Sequence, residues 1–168
     1  MSKISVIEIG FGTGITTKNV LEADKRIVVI AADNEIVMLK QAKFNLKNYI
    51  ENKRVTFVLE DAVKFLKKQL PASFDCFVSY ATMHNFDKTY RSSVLKEIFR
   101  VLKPGGLFVN GDKYALDNRI EFKRSFGRQI QRYKNVFTKM GRPDLLEQWT
   151  RHEELYLIFV LQESFELV

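Results

Sequence analysis

The chain has 168 residues, 46% of them hydrophobic, and 27 lysines and arginines against 20 aspartates and glutamates, for a formal net charge of +7. That length suits one folded domain with a full core, and Cys76 as single cysteine excludes an intrachain disulfide and fits the core of a reduced, intracellular protein. No apolar run approaches membrane-spanning length and no signal-like block opens the sequence, so a cytoplasmic protein with no membrane partner is expected.

Lys3 to Ile9 is apolar and β-branched up to Glu8, which predicts a buried strand running into Gly10-Phe11-Gly12-Thr13-Gly14. Ile15 to Ala23 contains no proline and is expected to be the helix that follows. Glycines at such a handover supply positive φ and let a ligand approach the backbone, because no Cβ intervenes. The same edge is where open α/β sheets bind nucleotides. Glu8 then sits at the end of the strand, beside the ligand. A dinucleotide fingerprint would need a small third residue at position 15, where this chain has Ile15. A tight turn with no ligand is the alternative reading of the glycines alone.

Arg26 to Ala32 reads as a second buried strand ending at Asp33, and Ile36, Leu39, Lys43, Leu46 and Ile50 mark one face of a helix. Arg54 to Leu59 is a third strand leading into Glu60-Asp61, followed by a helix over Ala62 to Gln69 that Pro71 closes. Phe74 to Tyr80 forms a fourth strand. A helix from Asp87 to Leu102 turns Val94, Leu95, Ile98, Val101 and Leu102 inward. Lys103-Pro104-Gly105-Gly106 forces a turn before a fifth strand, Leu107 to Gly111. This alternation predicts a parallel sheet with right-handed crossovers.

Leu116, Ile120, Phe126, Ile130, Tyr133, Phe137 and Met140 predict one long amphipathic helix from about Asp117 to Met140, stopped by Gly141 and Pro143. A short helix near Asp144 to Trp149 and a last strand, Leu155 to Leu161, complete the order. Arg119, Lys123, Arg124, Arg128, Arg132, Lys134, Lys139 and Arg142 concentrate charge here, read first as a solvated face and second as a polyanion site.

Glu8, Gly10, Gly12 and Gly14 (E-x-G-x-G-x-G), the acids ending the second and third strands, and Val101 to Gly106 together resemble the class I S-adenosylmethionine (SAM) dependent methyltransferases. The likeness covers roughly residues 4 to 115. It implies an α/β, Rossmann-like fold: an open, mostly parallel sheet with helices on both faces, one domain over 1–168, shortened at the N-terminus and at the C-terminus. It also implies SAM as cofactor and S-adenosylhomocysteine as product.

By that resemblance Glu8, Gly10, Gly12 and Gly14 wrap the amino-acid part of SAM, and Asp33 with Asn34 holds the ribose, a carboxylate's two acceptors matching two vicinal hydroxyls. Asp61 lies near the adenine amino group, Ala62 offers a backbone donor to the ring, and Ser79 and Tyr80 line the methionine end. Helix capping is the alternative reading for Asp33, where Asn34 competes for the cap position, and for Asp61.

The segment Ser79 to Phe86 lacks the N/D-P-P-Y/F string of amino-group and base methyltransferases. It is similar instead to the Ser/Ala-x-x-x-x-His-x-Phe/Leu pattern of small-molecule and quinone-type methyltransferases. An enzyme methylating a small-molecule acceptor is implied, with RNA or protein methylation, or a non-catalytic SAM-binding module, as alternatives. His84 is the candidate catalytic residue, able to deprotonate a nucleophile near neutral pH, or else a packing residue before the Asp87 helix. Asp112, Lys113 and Tyr114 read as an exposed loop or as acceptor-facing. His152 and Cys76 show no metal-ligand spacing with His84, so no metal is expected. The absent N-terminal helices imply that the basic helix forms part of a lid, or that a second copy covers the site in a homodimer.

Overall fold

A computed structural model describes residues 2–112, 118–151 and 153. Strands β1 (Ile4–Ile9), β2 (Ile27–Asp33), β3 (Val55–Leu59), β4 (Phe74–Tyr80) and β5 (Leu102–Gly111) form one sheet in the order β3-β2-β1-β4-β5. Every pairing is parallel. Helices α1 (Ile15–Ala23), α2 (Ile36–Asn45), α3 (Lys47–Glu51), α4 (Ala62–Lys67) and α5 (Lys88–Val101) connect them. The chain steps outward from β1 to β3, then returns to lay β4 against the other side of β1. The order therefore reverses between β1 and β4, the place where open α/β sheets bind ligands beyond the strands' C-terminal ends.

Side chains alternate along each strand, so the sheet builds two cores. Val6, Val29, Ala31 and Val78 pack with Leu21 of α1, Leu39 and Ala42 of α2, and Leu46. On the other face Ile7, Ile9, Ala32 and Phe77 pack with Phe65 and Leu66 of α4 and Val94, Ile98 and Val101 of α5. Both faces being covered explains why the central strands are near-continuous apolar runs. Truncating a wholly buried side chain such as Phe77 would cost about 3–5 kcal/mol.

Three local expectations are corrected. The helix expected through Ile50 is two, α2 and α3, with a break at Leu46 (φ −114°, ψ 25°). Its inward stripe is Leu39, Ala42, Leu46, Tyr49 and Ile50, so Ala42 takes the position given to Lys43, and Ile36 is exposed. Leu95 is 43% exposed, because Val94, Ile98 and Val101 already fill the stripe that α5 buries. Strand pairing in β5 begins at Leu102, and the expected turn, Lys103 to Gly106, interrupts its register, Phe74 facing Leu102 and Cys76 facing Leu107.

The chain separates into two compact units, Met1–Lys113 and Tyr114–Val168. In the second, α6 (Arg119–Lys139) is capped by Asn118, whose Oδ1 accepts from the backbone N–H groups of Ile120 and Glu121. Residues 143–151 are helical, and Trp149 and Phe137 each approach the Tyr133 ring at 5.8 Å. Tyr133 and Gln129 donate to Glu153. Arg124, Arg128 and Arg132, four residues apart, are exposed on one side of α6. The expected strand Leu155 to Leu161, His152, Lys113 and Tyr114 lie outside the described residues. Among the described residues no helix is long and apolar enough to cross a membrane.

Candidate functional site

The three glycines after β1 answer to different demands. Gly10 (φ +70°) has Thr82 directly above it: a Cβ there would lie 1.9 Å from Thr82 Oγ1. Gly12 (φ +52°) has nothing within 4 Å of where its Cβ would be, so the backbone at this turn is open to a ligand. Gly14 is the N-cap of α1, packed so that a Cβ would meet Leu46 at 2.5 Å.

Two carboxylates organise this turn. Glu8, the penultimate residue of β1, is fully buried and accepts from Thr17 Oγ1 on α1 at 2.7 Å. Its other oxygen, Oε1, is buried with no hydrogen-bond partner among the described residues. Burial pushes the Glu8 carboxyl up to about 7, with the Thr17 bond opposing the rise and the charge of Asp33 adding to it. Asp33, the last residue of β2, accepts from the Gly12 N–H through Oδ2 (2.9 Å) and from the Glu35 N–H through Oδ1 (3.0 Å). It thus ties the end of β2 to the glycine turn, while Asn34 is exposed.

Asp61, after β3, caps α4 by accepting from the Lys64 N–H (3.0 Å), and its second oxygen accepts from Tyr90 Oη at 2.5 Å. Burial opposes ionisation of Asp61, but the bonds from Tyr90 and Lys64 outweigh it and hold the carboxyl below its ordinary range. Burial and the same Asp61 contact push the Tyr90 phenol up to about 12, which keeps it a donor. Tyr90 carries no local sequence signal: it is one polar position on α5, brought to Asp61 only by the packing of α4 on α5. Ala62 begins α4.

The end of β4 completes the edge. Ser79 is buried, and its Oγ has no partner among the described residues. Tyr80 is exposed and lays its ring on Gly111, where a Cβ would come within 2.5 Å of Tyr80 Cδ2. Ala81 adopts φ +53°, Thr82 donates to Tyr80 O at 3.0 Å, and a single 3₁₀ turn, Met83–Asn85, follows. His84 turns inward, its Nδ1 3.0 Å from Asp112 Oδ1. Asp112 also faces inward instead of forming an exposed loop.

Glu8, the glycine turn, Asp33, Ser79 and Tyr80 therefore share the C-terminal edge of the sheet around the β1/β4 reversal, with Asp61 and Ala62 at the same edge after β3. A buried carboxylate oxygen with no partner among the described residues, open space over Gly12, and an acid bonded to the turn suit a ligand with a cationic end and vicinal hydroxyls, as SAM has. Among the described residues no group of three or more His, Cys, Asp or Glu is placed to hold a metal.

A family model described as a methyltransferase domain matches residues 6–106. The chain is 35% identical over 115 residues to a demethylmenaquinone methyltransferase of Leptospira interrogans, covering 68% of this chain and 45% of that protein. It is 26% identical over 158 residues to a carboxy-S-adenosyl-L-methionine synthase of Shewanella piezotolerans, covering 85% and 63%. Among solved structures, the YcgJ protein of Bacillus subtilis superposes with a TM-score of 0.60 at 23% identity, covering 79% of this chain and 53% of that one. The chain thus spans about half the length of the curated relatives it matches.

Proposed function

This chain belongs to the class I SAM-dependent methyltransferases, and from that premise we propose that it transfers the methyl group of SAM to a small-molecule acceptor. The observation that carries the proposal is the bond from the Gly12 N–H to Asp33 in a turn whose outer side is open, together with an oxygen of buried Glu8 that has no partner among the described residues. A carboxylate that is costly to leave ionised and unpaired becomes favourable once a cation lies against it.

Bound SAM would supply a methyl group on a positively charged sulfur that is also the leaving group. What remains for the chain is to bind, orient and exclude water. In the proposed arrangement Asp33 holds the ribose hydroxyls with Asn34 beside it, Gly10, Gly12 and Gly14 with Glu8 hold the amino-acid end, and Ser79 and Tyr80 flank it. Asp61, fixed by Tyr90, and the Ala62 N–H face the adenine. His84 takes the acceptor's proton where the acceptor must lose one, its ring held through Nδ1 by Asp112.

A small acceptor is supported by the form of the segment Ser79 to Phe86 and by the similarity to a demethylmenaquinone methyltransferase. A second reading, RNA as acceptor, rests on the exposed Arg124, Arg128 and Arg132 of α6. Calorimetry with SAM, S-adenosylhomocysteine and NAD tests the cofactor. A methyl-transfer screen across phenols, amines, thiols and RNA then tests the acceptor and separates an enzyme from a binding module. Light scattering checks the further proposal that a second copy covers the site: a strict monomer removes it.

A further inference from the structure

We propose that Asp112 is a positioning residue of the cofactor site, acting through the turn after β4, which it holds against the glycine turn of β1. The proposal rests on the reading that this edge binds SAM, and it concerns a residue that does not itself touch the ligand.

Asp112 directly follows β5, yet its side chain is 1% exposed. Oδ1 accepts from the Thr82 N–H at 2.7 Å, Oδ2 accepts from the Met83 N–H at 3.0 Å, and His84 Nδ1 lies 3.0 Å from Oδ1. Three consecutive residues of one turn are thus gathered on one carboxylate. Burial works against its charge, but the bonds from His84 and Thr82 prevail and keep the carboxyl below its ordinary range. An ionised carboxylate only accepts, so the proton of the His84 ring must be on Nδ1.

The turn needs such an anchor. Ala81 is in the left-handed region without being glycine, a conformation that persists only where its surroundings over-determine it. What the turn delivers is Thr82, whose side chain stands over Gly10 and donates to Tyr80 O. Asp112 therefore connects the end of β5, through the turn after β4, to the end of β1, the strand whose glycines face the ligand.

The molecule supplies its own control. Asp75, at the start of β4, carries a comparable load at the opposite edge of the sheet: it accepts from Ser5 N and Ser5 Oγ, both at 2.8 Å, and from Lys103 Nζ at 2.7 Å. It joins the same three strands at their N-terminal ends, far from the turn.

The test compares Asp112→Asn, Asp112→Ala and Asp75→Asn with the unaltered chain, measuring S-adenosylhomocysteine affinity by calorimetry and thermal midpoint on the same samples. Asp112→Asn should weaken affinity about tenfold and Asp112→Ala more, from loss of charge-assisted bonds that order the turn. Asp75→Asn should melt earlier with affinity unchanged within about twofold. Asp112 variants that bind as the parent does, or affinity that merely tracks melting temperature across all three, would overturn the proposal. Should the Asp112 variants fail to fold, ¹⁵N NMR of His84 in the unaltered chain decides: a proton on Nδ1 supports the proposal, and a bare Nδ1 contradicts it. If the unaltered chain binds no S-adenosylhomocysteine, it is the SAM reading that fails.

Discussion

Gly12 and Asp33 are bound to each other, backbone N–H to Oδ2 at 2.9 Å, so the acid at the end of β2 shapes the turn at the end of β1 before any ligand arrives. Asp33 thus holds the turn, and in the proposed function it would also meet the ribose, two duties that substitution can separate.

Asp33→Ala should weaken S-adenosylhomocysteine binding by about 10- to 100-fold, the range expected for charge-assisted hydrogen bonds of about 1.5–3 kcal/mol. Asp33→Asn keeps one carbonyl acceptor for Gly12 and should lose less. Calorimetry on both variants checks the order.

Gly10 and Gly12 should respond differently to alanine. At Gly12 the new methyl meets no protein atom, so only the left-handed backbone is penalised, about 1–2 kcal/mol of stability, while cofactor affinity falls much further because the methyl occupies ligand space. At Gly10 the methyl collides with Thr82, and stability itself should collapse, with partial recovery in Gly10→Ala/Thr82→Gly. Chemical denaturation beside calorimetry separates the two cases.

Glu8 makes stability depend on pH in an unusual direction for a carboxylate. Unfolded, it titrates near 4.5; folded, near 7. Between those values the folded chain retains a proton that the unfolded chain has lost, so raising the pH across this window destabilises the fold, by on the order of 3 kcal/mol from this group. Glu8→Gln should flatten that slope in urea titrations run from pH 4.5 to 7. A cationic ligand beside Glu8 favours the carboxylate, so binding near pH 7 should release a proton, seen as a buffer-dependent heat that Glu8→Gln abolishes.

His84→Gln should lower kcat by about 100-fold for an acceptor that must lose a proton, with S-adenosylhomocysteine affinity changed far less. A kcat that holds while the melting temperature drops would assign His84 to the turn alone.

Much of this was legible in the sequence because the signal was local. Ile7, Ile9 and Phe77 sit in apolar runs that end at Glu8-to-Gly14 and at Tyr80, and the alternation of strands and helices fixed a parallel sheet. The ends of those runs placed Glu8, Asp33 and Asp61 on one edge. What was hidden depends on contacts across the fold. Thr82 reaches Gly10 from 72 positions away, and Tyr90 meets Asp61 from 29. Asp112 looked like a loop residue because one carboxylate after a strand has no periodicity to announce that it turns inward. Lys43 and Leu95 were misplaced because a helical stripe has margins, and which neighbour fills the groove is decided by the partner surface.

For the second reading, the arginine stripe of α6 should give RNA binding whose logarithm falls with the logarithm of salt concentration at a slope of about −2, near −0.7 per contacted phosphate. Reversing Arg124, Arg128 and Arg132 to glutamate should remove that slope and leave S-adenosylhomocysteine affinity unaltered.

The most direct measurement is a ¹H–¹⁵N NMR titration of the unaltered chain with S-adenosylhomocysteine. Saturable shifts at one equivalent, centred on the amides of Gly10 to Gly14, Asn34, Ala62 and Tyr80, are the predicted result. A folded chain whose amides at those positions do not move would contradict the assignment of this edge as the SAM site.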